Sequence, residues 1–209
     1  MKLIELSLQD YVKQLAGGEP TPGGGSAAAL SCALAAGLCA MAARLTIGKP
    51  KYEKSWGRMQ EVVETVAPLA QTLLSLVDAD SEAYKQVLAA YRLAKADDAE
   101  KGKRLAAIEQ AFQQAADIPL QTLQHAAKLI EPLQQVITEG NPNCITDAGA
   151  AVQFCRAGAR AAADNVRINL DAIKENAVAA EFEKRCAALW KQVDAGTKQL
   201  DAQFAAKMS

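Results

Sequence analysis

Most of the chain places apolar residues three and four positions apart, which is the spacing of an amphipathic α-helix. This pattern runs over residues 55–95, 105–137 and 177–204, and a shorter helix is predicted over 7–15. Residues 26–43 differ because they carry no charge and are apolar on every face. Such a segment is typical of a central helix that the rest of the chain surrounds.

Prolines, glycines and one polar stretch mark where helices are expected to end. A polar loop is predicted over 95–103, and a turn over 140–143. After that turn, a helix rich in small residues is expected to open at Thr146 or Asp147 and to run to Leu170. The prolines expected to kink or break the two long helices are Pro68, Pro119 and Pro132.

Composition favours an all-α fold. Alanine accounts for 44 of the 209 residues and aromatic residues for only 5%, and alanine is a strong helix former but a poor strand former. We therefore expect a multi-helix bundle around a long central alanine-rich helix. Residues 1–209 are expected to form a single domain.

Charge and cysteine content narrow the functional class. The net charge is −1, so no nucleic-acid partner is expected. The single histidine, His125, is interpreted as structural, and no metal site is expected. The five cysteines include no CxxC pair and indicate a reducing cytoplasm, and Cys32 and Cys39 are interpreted as small apolar residues on one helix face. Residues 26–43 approach the length of a membrane span, but their alanine content favours a core helix, and no membrane partner is expected.

A glycine-rich turn precedes the central helix. Gly23, Gly24 and Gly25, followed by Ser26, can adopt positive φ and expose backbone N–H groups at the positive end of the helix dipole. Such an arrangement binds phosphate or carboxylate. It is not a P-loop, because no Lys-Ser or Lys-Thr follows. The alternative is a flexible turn in which Ser26 only caps the helix.

Two carboxylates two residues apart fall on different faces of their helix. Asp80 is in register with Val77 and the apolar stripe, whereas Asp78 is in register with polar positions and is interpreted as a solvated charge. A carboxylate on a buried face must be paired or have its pKa raised. A raised pKa suits acid–base catalysis near neutral pH, so Asp80 is a catalytic candidate. The alternative is an aspartate satisfied by a neighbouring helix.

A second junction between turn and helix carries further polar residues. Asn143 or Thr146 could cap the helix and Asp147 suits its positive end, or Asn143 and Asp147 could bind a polar ligand. Asn165 and Asn169 share a helix face with Asp147, but Asn165 lies about 27 Å further along the axis. These residues would serve two ends of a long ligand, two sites, or a site shared between subunits. Otherwise the asparagines are core residues bonded to other helices.

Five segments in this order resemble the cyclodeaminase/cyclohydrolase family. That family comprises the C-terminal domain of formiminotransferase-cyclodeaminase and free-standing folate cyclohydrolases. The matching segments are PTPGGGSAAA (20–29), LTIGKPKY (45–52), SLVDADSEAY (75–84), GNPNCITDAGAA (140–151) and NVRINL (165–170). Each is short, but their joint order and spacing over nearly the whole chain are specific.

The resemblance implies a helical homodimer that binds a tetrahydrofolate derivative, with or without a polyglutamate tail, and needs no cofactor beyond that substrate. It puts Asp80 in the acid–base role, and Lys49 could meet a glutamate carboxylate of the folate. The other substrate contacts it implies are Gly23, Gly24, Gly25, Ser26, Tyr84, Asn143, Asp147, Asn165 and Asn169.

Two reactions are implied by the resemblance. A methenyltetrahydrofolate cyclohydrolase adds water to the bridge between N5 and N10 and yields 10-formyltetrahydrofolate, and the short chain favours this reaction. A 5-formiminotetrahydrofolate cyclodeaminase instead closes the ring and releases ammonia. A non-catalytic folate-binding or scaffold dimer is a further alternative, although such a protein has no reason to bury Asp80.

Overall fold

The computed structural model describes residues 2–208, apart from the side chain of Asn176, and all of the regular secondary structure in that range is helical. The all-α prediction is confirmed. The α-helices are α1 (Leu8–Leu15), α2 (Gly24–Arg44), α3 (Trp56–Tyr91), α4 (Asp98–Lys128), α5 (Ile130–Glu139), α6 (Ile145–Leu170) and α7 (Asn176–Met208). The short 3₁₀ helices are Leu3–Glu5, Pro50–Ser55 and Pro142–Cys144.

The alanine-rich helix α2 is central, as its apolar sequence predicts. It packs along both α3 and α6, and both run antiparallel to it. Small residues let these helices approach closely: a Cβ on Gly158 of α6 would stand 2.6 Å from Cys32 Sγ. Two segments, 24–44 and 50–91, are long and apolar enough to cross a membrane by length and composition alone. In α2, 61% of that apolar window is buried inside the protein, as in the core helix of a soluble protein.

Two of the three prolines do not break their helices, and the third lies directly after a break. Pro68 and Pro119 lie inside α3 and α4, which continue through them. Pro132 lies in the first turn of α5, where its missing N–H removes no helical hydrogen bond. The chain does break just before Pro132, at Leu129 between α4 and α5, so the break predicted at Pro132 is confirmed. Packing of the buried residues on both sides of each internal proline outweighs its local cost, which is about 3 kcal/mol.

Two predicted helix starts are also wrong. The expected loop over 95–103 becomes helical at Asp98, because the Asp97 carboxylate accepts the Glu100 N–H at 2.8 Å and caps α4. Helix α6 begins at Ile145 without a side-chain cap, so neither Asn143 nor Thr146 caps it.

Asn141 instead organises the turn before α6. Its Oδ1 accepts the Asn143 N–H at 3.1 Å, and its own N–H donates to Thr46 Oγ1 at 2.8 Å. This asparagine fastens the start of α6 to the C-terminal end of α2. The partner lies 95 residues away in sequence, so no local pattern predicts the role.

Candidate functional site

The N-terminus of α2 and the carboxylate of Asp80 on α3 are in direct contact. Ser26 Oγ lies 3.0 Å from an Asp80 carboxylate oxygen and 3.0 Å from the Val77 carbonyl oxygen, so its proton has two acceptors. Ser81 Oγ is 3.1 Å from Ser26 Oγ and can supply a second proton. Ser26 is fully buried. It holds Asp80 in place instead of capping its own helix.

The glycines of the turn permit this contact by being small. A Cβ on Gly25 would overlap the carboxylate of Asp80, and a Cβ on Gly24 would stand 3.3 Å from Asn165 Nδ2. Positive φ, which the glycine run was expected to need, occurs at Gly48 and not at Gly23, Gly24 or Gly25. The glycines therefore serve close approach of neighbouring side chains and not an unusual backbone.

Two opposing effects set the pKa of Asp80. Burial of the carboxylate raises its pKa, and hydrogen bonds from the side chain and backbone of Ser26 oppose that shift without cancelling it. The N-terminal end of α2, which is the positive end of the helix dipole, thus faces the carboxylate of Asp80. Asp80, which is partly buried, is poised to exchange a proton closer to neutral pH than an ordinary aspartate.

A cavity of about 320 Å³ opens beside Asp80. The predicted site residues that line it are Gly23, Gly24, Gly25, Asp80, Tyr84, Asn165 and Asn169. Sequence reasoning missed Thr21, Phe112 and Ile168, which also line it. Ile168 shares a helix face with Asn165 and could have been found from that spacing, whereas nothing in the sequence singles out Phe112. The cavity thus combines a carboxylate, two amides and apolar walls.

Asn169 is bonded to another helix, as one of the two alternatives predicts, whereas the side-chain amide of Asn165 donates within its own helix. Asn169 Nδ2 donates to the carbonyls of Ala115 at 3.0 Å and Asn165 at 2.8 Å, and Asn165 Nδ2 donates to the Ala161 carbonyl at 2.8 Å. They are therefore bonded to backbone and also line the cavity. Within residues 2–208, no protein donor is found for either amide oxygen, so both oxygens are available to accept from a ligand.

The remaining predicted contacts lie at the opposite end of α2. Lys49 follows α2, and Asn143 and Asp147 lie at the start of α6, which Asn141 fastens to that end. Helix α2 has 21 residues and is about 30 Å long. None of Lys49, Asn143 and Asp147 lines the cavity beside Asp80. Within one chain, the predicted set therefore forms two clusters and not one site.

Asp78 is not the solvated charge that its register predicted. One carboxylate oxygen accepts the backbone N–H of Leu3, and the other is buried without a partner among the described residues. Asp78 thereby fastens the N-terminal segment to α3. The neighbouring carboxylates thus have separate tasks, because Asp78 holds a segment and Asp80 faces the cavity.

The cysteines and the histidine lie outside the lining of the cavity. All five cysteines are buried, and burial raises the pKa of Cys39 and of Cys155 to about 12. These thiols therefore stay protonated and unreactive, and the prediction that Cys32 and Cys39 are small apolar residues is confirmed by their burial. Burial, with a contribution from Lys128, lowers the pKa of His125. Across residues 2–208, no three His, Cys, Asp or Glu side chains come together as a metal site requires.

Comparison with known proteins connects this geometry to a family. A family model described as formiminotransferase-cyclodeaminase matches residues 7–188. The chain is 38% identical to the methenyltetrahydrofolate cyclohydrolase of Methylorubrum extorquens over 90% of this chain and 91% of that protein. It is 29% identical to the formimidoyltransferase-cyclodeaminase of Rattus norvegicus over 91% of this chain, but it spans only 35% of that protein.

A solved structure agrees in fold over nearly the whole length. The crystal structure of formiminotetrahydrofolate cyclodeaminase from Thermotoga maritima matches with a TM-score of 0.87 at 25% sequence identity. The match covers 98% of each chain. The helical arrangement around α2 is therefore shared with a protein of known structure.

Proposed function

The chain belongs to the formiminotransferase-cyclodeaminase family, and we propose that it is a methenyltetrahydrofolate cyclohydrolase. The observation that carries the proposal is Asp80, a partly buried carboxylate with a raised pKa on the wall of a cavity at a helix N-terminus. The Methylorubrum cyclohydrolase matches along almost its whole length, whereas the chain spans about a third of the Rattus relative. The identity to the Methylorubrum cyclohydrolase, 38%, is higher than the identity to the Rattus relative, 29%, or to the Thermotoga cyclodeaminase, 25%, and this favours the hydrolytic reaction over ring closure.

The charge of the substrate suits the cavity. The N5–C–N10 bridge of 5,10-methenyltetrahydrofolate is a delocalised cation, and Asp80 is the carboxylate that lines the cavity. A bound cation favours the ionised carboxylate, so substrate binding would prepare Asp80 to act as a base. The apolar side chains of Phe112 and Ile168 offer surfaces for the flat ring system, and the amide oxygens of Asn165 and Asn169 can accept its N–H groups.

Hydrolysis then needs one base. Asp80 accepts a proton from water as the water oxygen bonds to the bridge carbon, giving a neutral tetrahedral intermediate. The C–N5 bond breaks as the new hydroxyl loses its proton and the carbonyl forms, and the electron pair and a proton go to N5. The product is 10-formyltetrahydrofolate, and Asp80 returns its proton to solvent. Ser26 keeps the carboxylate oriented throughout by its 3.0 Å hydrogen bond.

The second candidate is formiminotetrahydrofolate cyclodeaminase, favoured by the match to the Thermotoga structure over 98% of both chains. There Asp80 would act as an acid. It would protonate the departing ammonia as N10 closes the ring. The same cavity serves either reaction because both pass through a tetrahedral carbon between two nitrogens.

We also propose that two copies associate through the exposed side of α2. Leu34, Met41 and Leu45 are 36–47% exposed, and half-buried Leu38 lies between them at the spacing of one helix face. An apolar stripe of this length is rare on a surface that remains in water. A two-fold axis makes one such stripe complementary to itself. We place this homodimer in the cytoplasm, where its buried thiols stay reduced.

Association of two copies would bring the cluster at one end of α2 close to the other cluster in the second copy. A two-fold axis near the middle of α2 makes the paired helices antiparallel, so the far end of one helix lies level with the near end of the other. The two clusters lie at opposite ends of α2, which is about 30 Å long. Lys49 would then approach the glutamate tail of a folate bound beside Asp80 of the other copy.

The dimer is tested by sedimentation of Leu34→Glu, with Leu8→Glu as the matched control because Leu8 is 81% exposed on α1. We expect Leu34→Glu to sediment as a monomer and Leu8→Glu to behave as the unmodified protein. A Leu34→Glu protein that sediments with the same particle mass as the unmodified protein would contradict association through α2.

The reaction is tested by following the absorbance of 5,10-methenyltetrahydrofolate with purified protein, with buffer alone as the blank. Loss of the methenyl absorbance at a protein-dependent rate supports the cyclohydrolase. If the absorbance is unchanged, 5-formiminotetrahydrofolate is supplied instead. Appearance of the same absorbance with ammonia would replace the first proposal by the second, and no change with either substrate would contradict both.

A further inference from the structure

Tyr11 is the point at which α1 is buried. Its side chain is only 7% exposed, whereas Leu8 and Val12 of the same helix are 81% and 61% exposed. Its ring lines a small apolar cavity of about 150 Å³ together with Leu30 and Val77. A phenylalanine would fill this position equally well, so packing does not explain the hydroxyl.

The hydroxyl of Tyr11 is buried and has no hydrogen-bond partner among the described residues. Leaving a buried hydroxyl unpaired destabilises a fold, typically by about 1–3 kcal/mol. A group retained at such a cost is a candidate for function.

The ring of Tyr11 lies one helical turn from the contact between Ser26 and Asp80. Leu30 follows Ser26 by one turn of α2, and Val77 precedes Asp80 by one turn of α3. Burial, and secondly the negative charge of Asp80, raise the pKa of Tyr11. The phenol therefore stays neutral and keeps its proton.

The N-terminal segment is fastened where this contact requires it. Asp78 accepts the Leu3 N–H on α3, two residues before Asp80, and the segment leads directly into α1. Because Asp78 and Asp80 lie two residues apart on α3, this hydrogen bond also fixes the position of Tyr11 relative to Asp80.

We infer that Tyr11 is a positioning residue whose buried hydroxyl turns its proton toward Asp80 and stabilises the carboxylate form. The hydroxyl has no hydrogen-bond partner within residues 2–208, so no nearer acceptor holds its proton and the field of Asp80 orients it. The effect adds to that of Ser26 and keeps a larger fraction of Asp80 ionised. This role in catalysis rests on the proposed function, whereas the effect on Asp80 itself does not.

Asp80 has few other neighbours that could set its titration. Among the described residues, the polar ones that bond to Asp80 or Ser26, line the cavity or act on the pKa of Tyr11 with Asp80 are Tyr11 itself, Thr21, Ser26, Ser81, Tyr84, Asn165 and Asn169. None of these carries a positive charge at neutral pH. Tyr11→Phe therefore removes one contribution and leaves the others in place.

The test measures the titration of Asp80 directly. Carboxyl ¹³C resonances of the unmodified protein and of Tyr11→Phe are followed with pH, and Asp80→Asn assigns the Asp80 signal. We expect the Asp80 midpoint to move to higher pH in Tyr11→Phe, by about half a pH unit. Tyr91→Phe is the matched control, because Tyr91 is 48% exposed. The Asp80 titration midpoint in Tyr91→Phe should equal that of the unmodified protein. An unchanged or lowered midpoint in Tyr11→Phe would overturn the inference.

Two further readouts separate this role from a structural one. The urea midpoint of Tyr11→Phe should not fall, because the variant keeps the ring and removes only an unpaired hydroxyl. A lower urea midpoint would mean that the hydroxyl supports the fold, and it would overturn the inference. The acid limb of kcat/KM should move with the Asp80 midpoint. If the unmodified protein does not turn over either folate, the proposed function fails while the titration still decides the role of Tyr11.

Discussion

The two ends of α2 carry similar side chains in different surroundings. At the N-terminal end, the Asp80 carboxylate lies against Gly25, is bound by Ser26 and faces a cavity. At the C-terminal end, Asp147 lies in the first turn of α6, and Lys49 and Asn143 are exposed. Both ends join a glycine- or proline-containing turn to a helix start. What distinguishes them is the removal of one carboxylate from water, which gives it a raised pKa.

Asp80→Asn is expected to have the largest effect on activity. It keeps the shape of the side chain and an acceptor for Ser26 but removes the base, so kcat for 5,10-methenyltetrahydrofolate should fall about 10²–10⁴-fold. Asp147→Asn at the other end should change kcat less than about tenfold, because removal of one uniform binding contact acts mainly through KM. Equal losses of kcat in the two variants would erase the distinction between the ends.

The effect of Asp80→Asn on stability has the opposite sign. Burial raises the pKa of Asp80 in the folded state above its unfolded value. Its contribution to stability is therefore fully present below the unfolded pKa and is lost as pH rises through the folded pKa. At pH 7 the asparagine variant should have a urea midpoint at least as high as the unmodified protein, and the advantage should disappear on acidification.

Gly25→Ala should damage both the fold and the activity. The added Cβ would overlap the Asp80 carboxylate, so the carboxylate or the helix must move, at about 1–3 kcal/mol of stability. Activity should fall by about 10²-fold, because a displacement of about 1 Å suffices for that loss. Gly102→Ala is the matched control, since a Cβ there meets nothing within 4 Å on α4, and it should gain about 0.5–1 kcal/mol. Urea denaturation measures the stability of both variants, and the absorbance assay measures their activity. A Gly25→Ala protein with unchanged stability and activity would refute the close contact between Gly25 and the Asp80 carboxylate.

Asn165→Ala and Asn143→Ala compare the two ends through one residue type. Asn165 lines the cavity, and losing one hydrogen bond to substrate should lower kcat/KM about tenfold. Asn143 is exposed and its backbone N–H is already bound by Asn141, so its side chain should matter less than about twofold. A reversal of this order in the steady-state constants would place the ligand at the other end.

Lys49→Ala should give a small effect that depends on the substrate. Lys49 is exposed, and an exposed ion pair with a glutamate carboxylate typically contributes at most about 1 kcal/mol. We expect KM to rise a few-fold for a polyglutamylated substrate and to change little for the monoglutamate, with the difference shrinking at high salt. Equal KM changes for both substrates would argue against contact with the tail.

Local patterns in the sequence predict the helices well and the contacts between them poorly. The register of Asp80 with Val77 placed it correctly on the inner face of α3, because burial follows the helical period. Its partner Ser26 lies 54 residues away, so the contact depends on packing that no local window contains. Asp78 was misassigned for the same reason, since its partner Leu3 is 75 residues away.

Tyr11 shows a similar limit. The spacing of Leu8, Tyr11, Val12 and Leu15 predicts one apolar face, yet Tyr11 is buried while the other three are exposed. Which side of that face meets the protein depends on how α1 docks onto α2 and α3. The resemblance to a family supplied the substrate class, and helix spacing alone separates Asp147 from Asn165 by about 27 Å, whereas the residues that join Asp80 at one end of α2 required the structure.

The pH dependence of kcat/KM for 5,10-methenyltetrahydrofolate, measured in the unmodified protein and in Asp80→Asn, tests most directly whether the cavity beside Asp80 carries the chemistry. In the unmodified protein, the rate should fall on the acid side with a midpoint above 3.8, the ordinary pKa of aspartate, because burial raises that of Asp80. Asp80→Asn should be slow throughout and lack this limb. A variant that keeps the same limb at a comparable rate would contradict the assignment of Asp80 as the base.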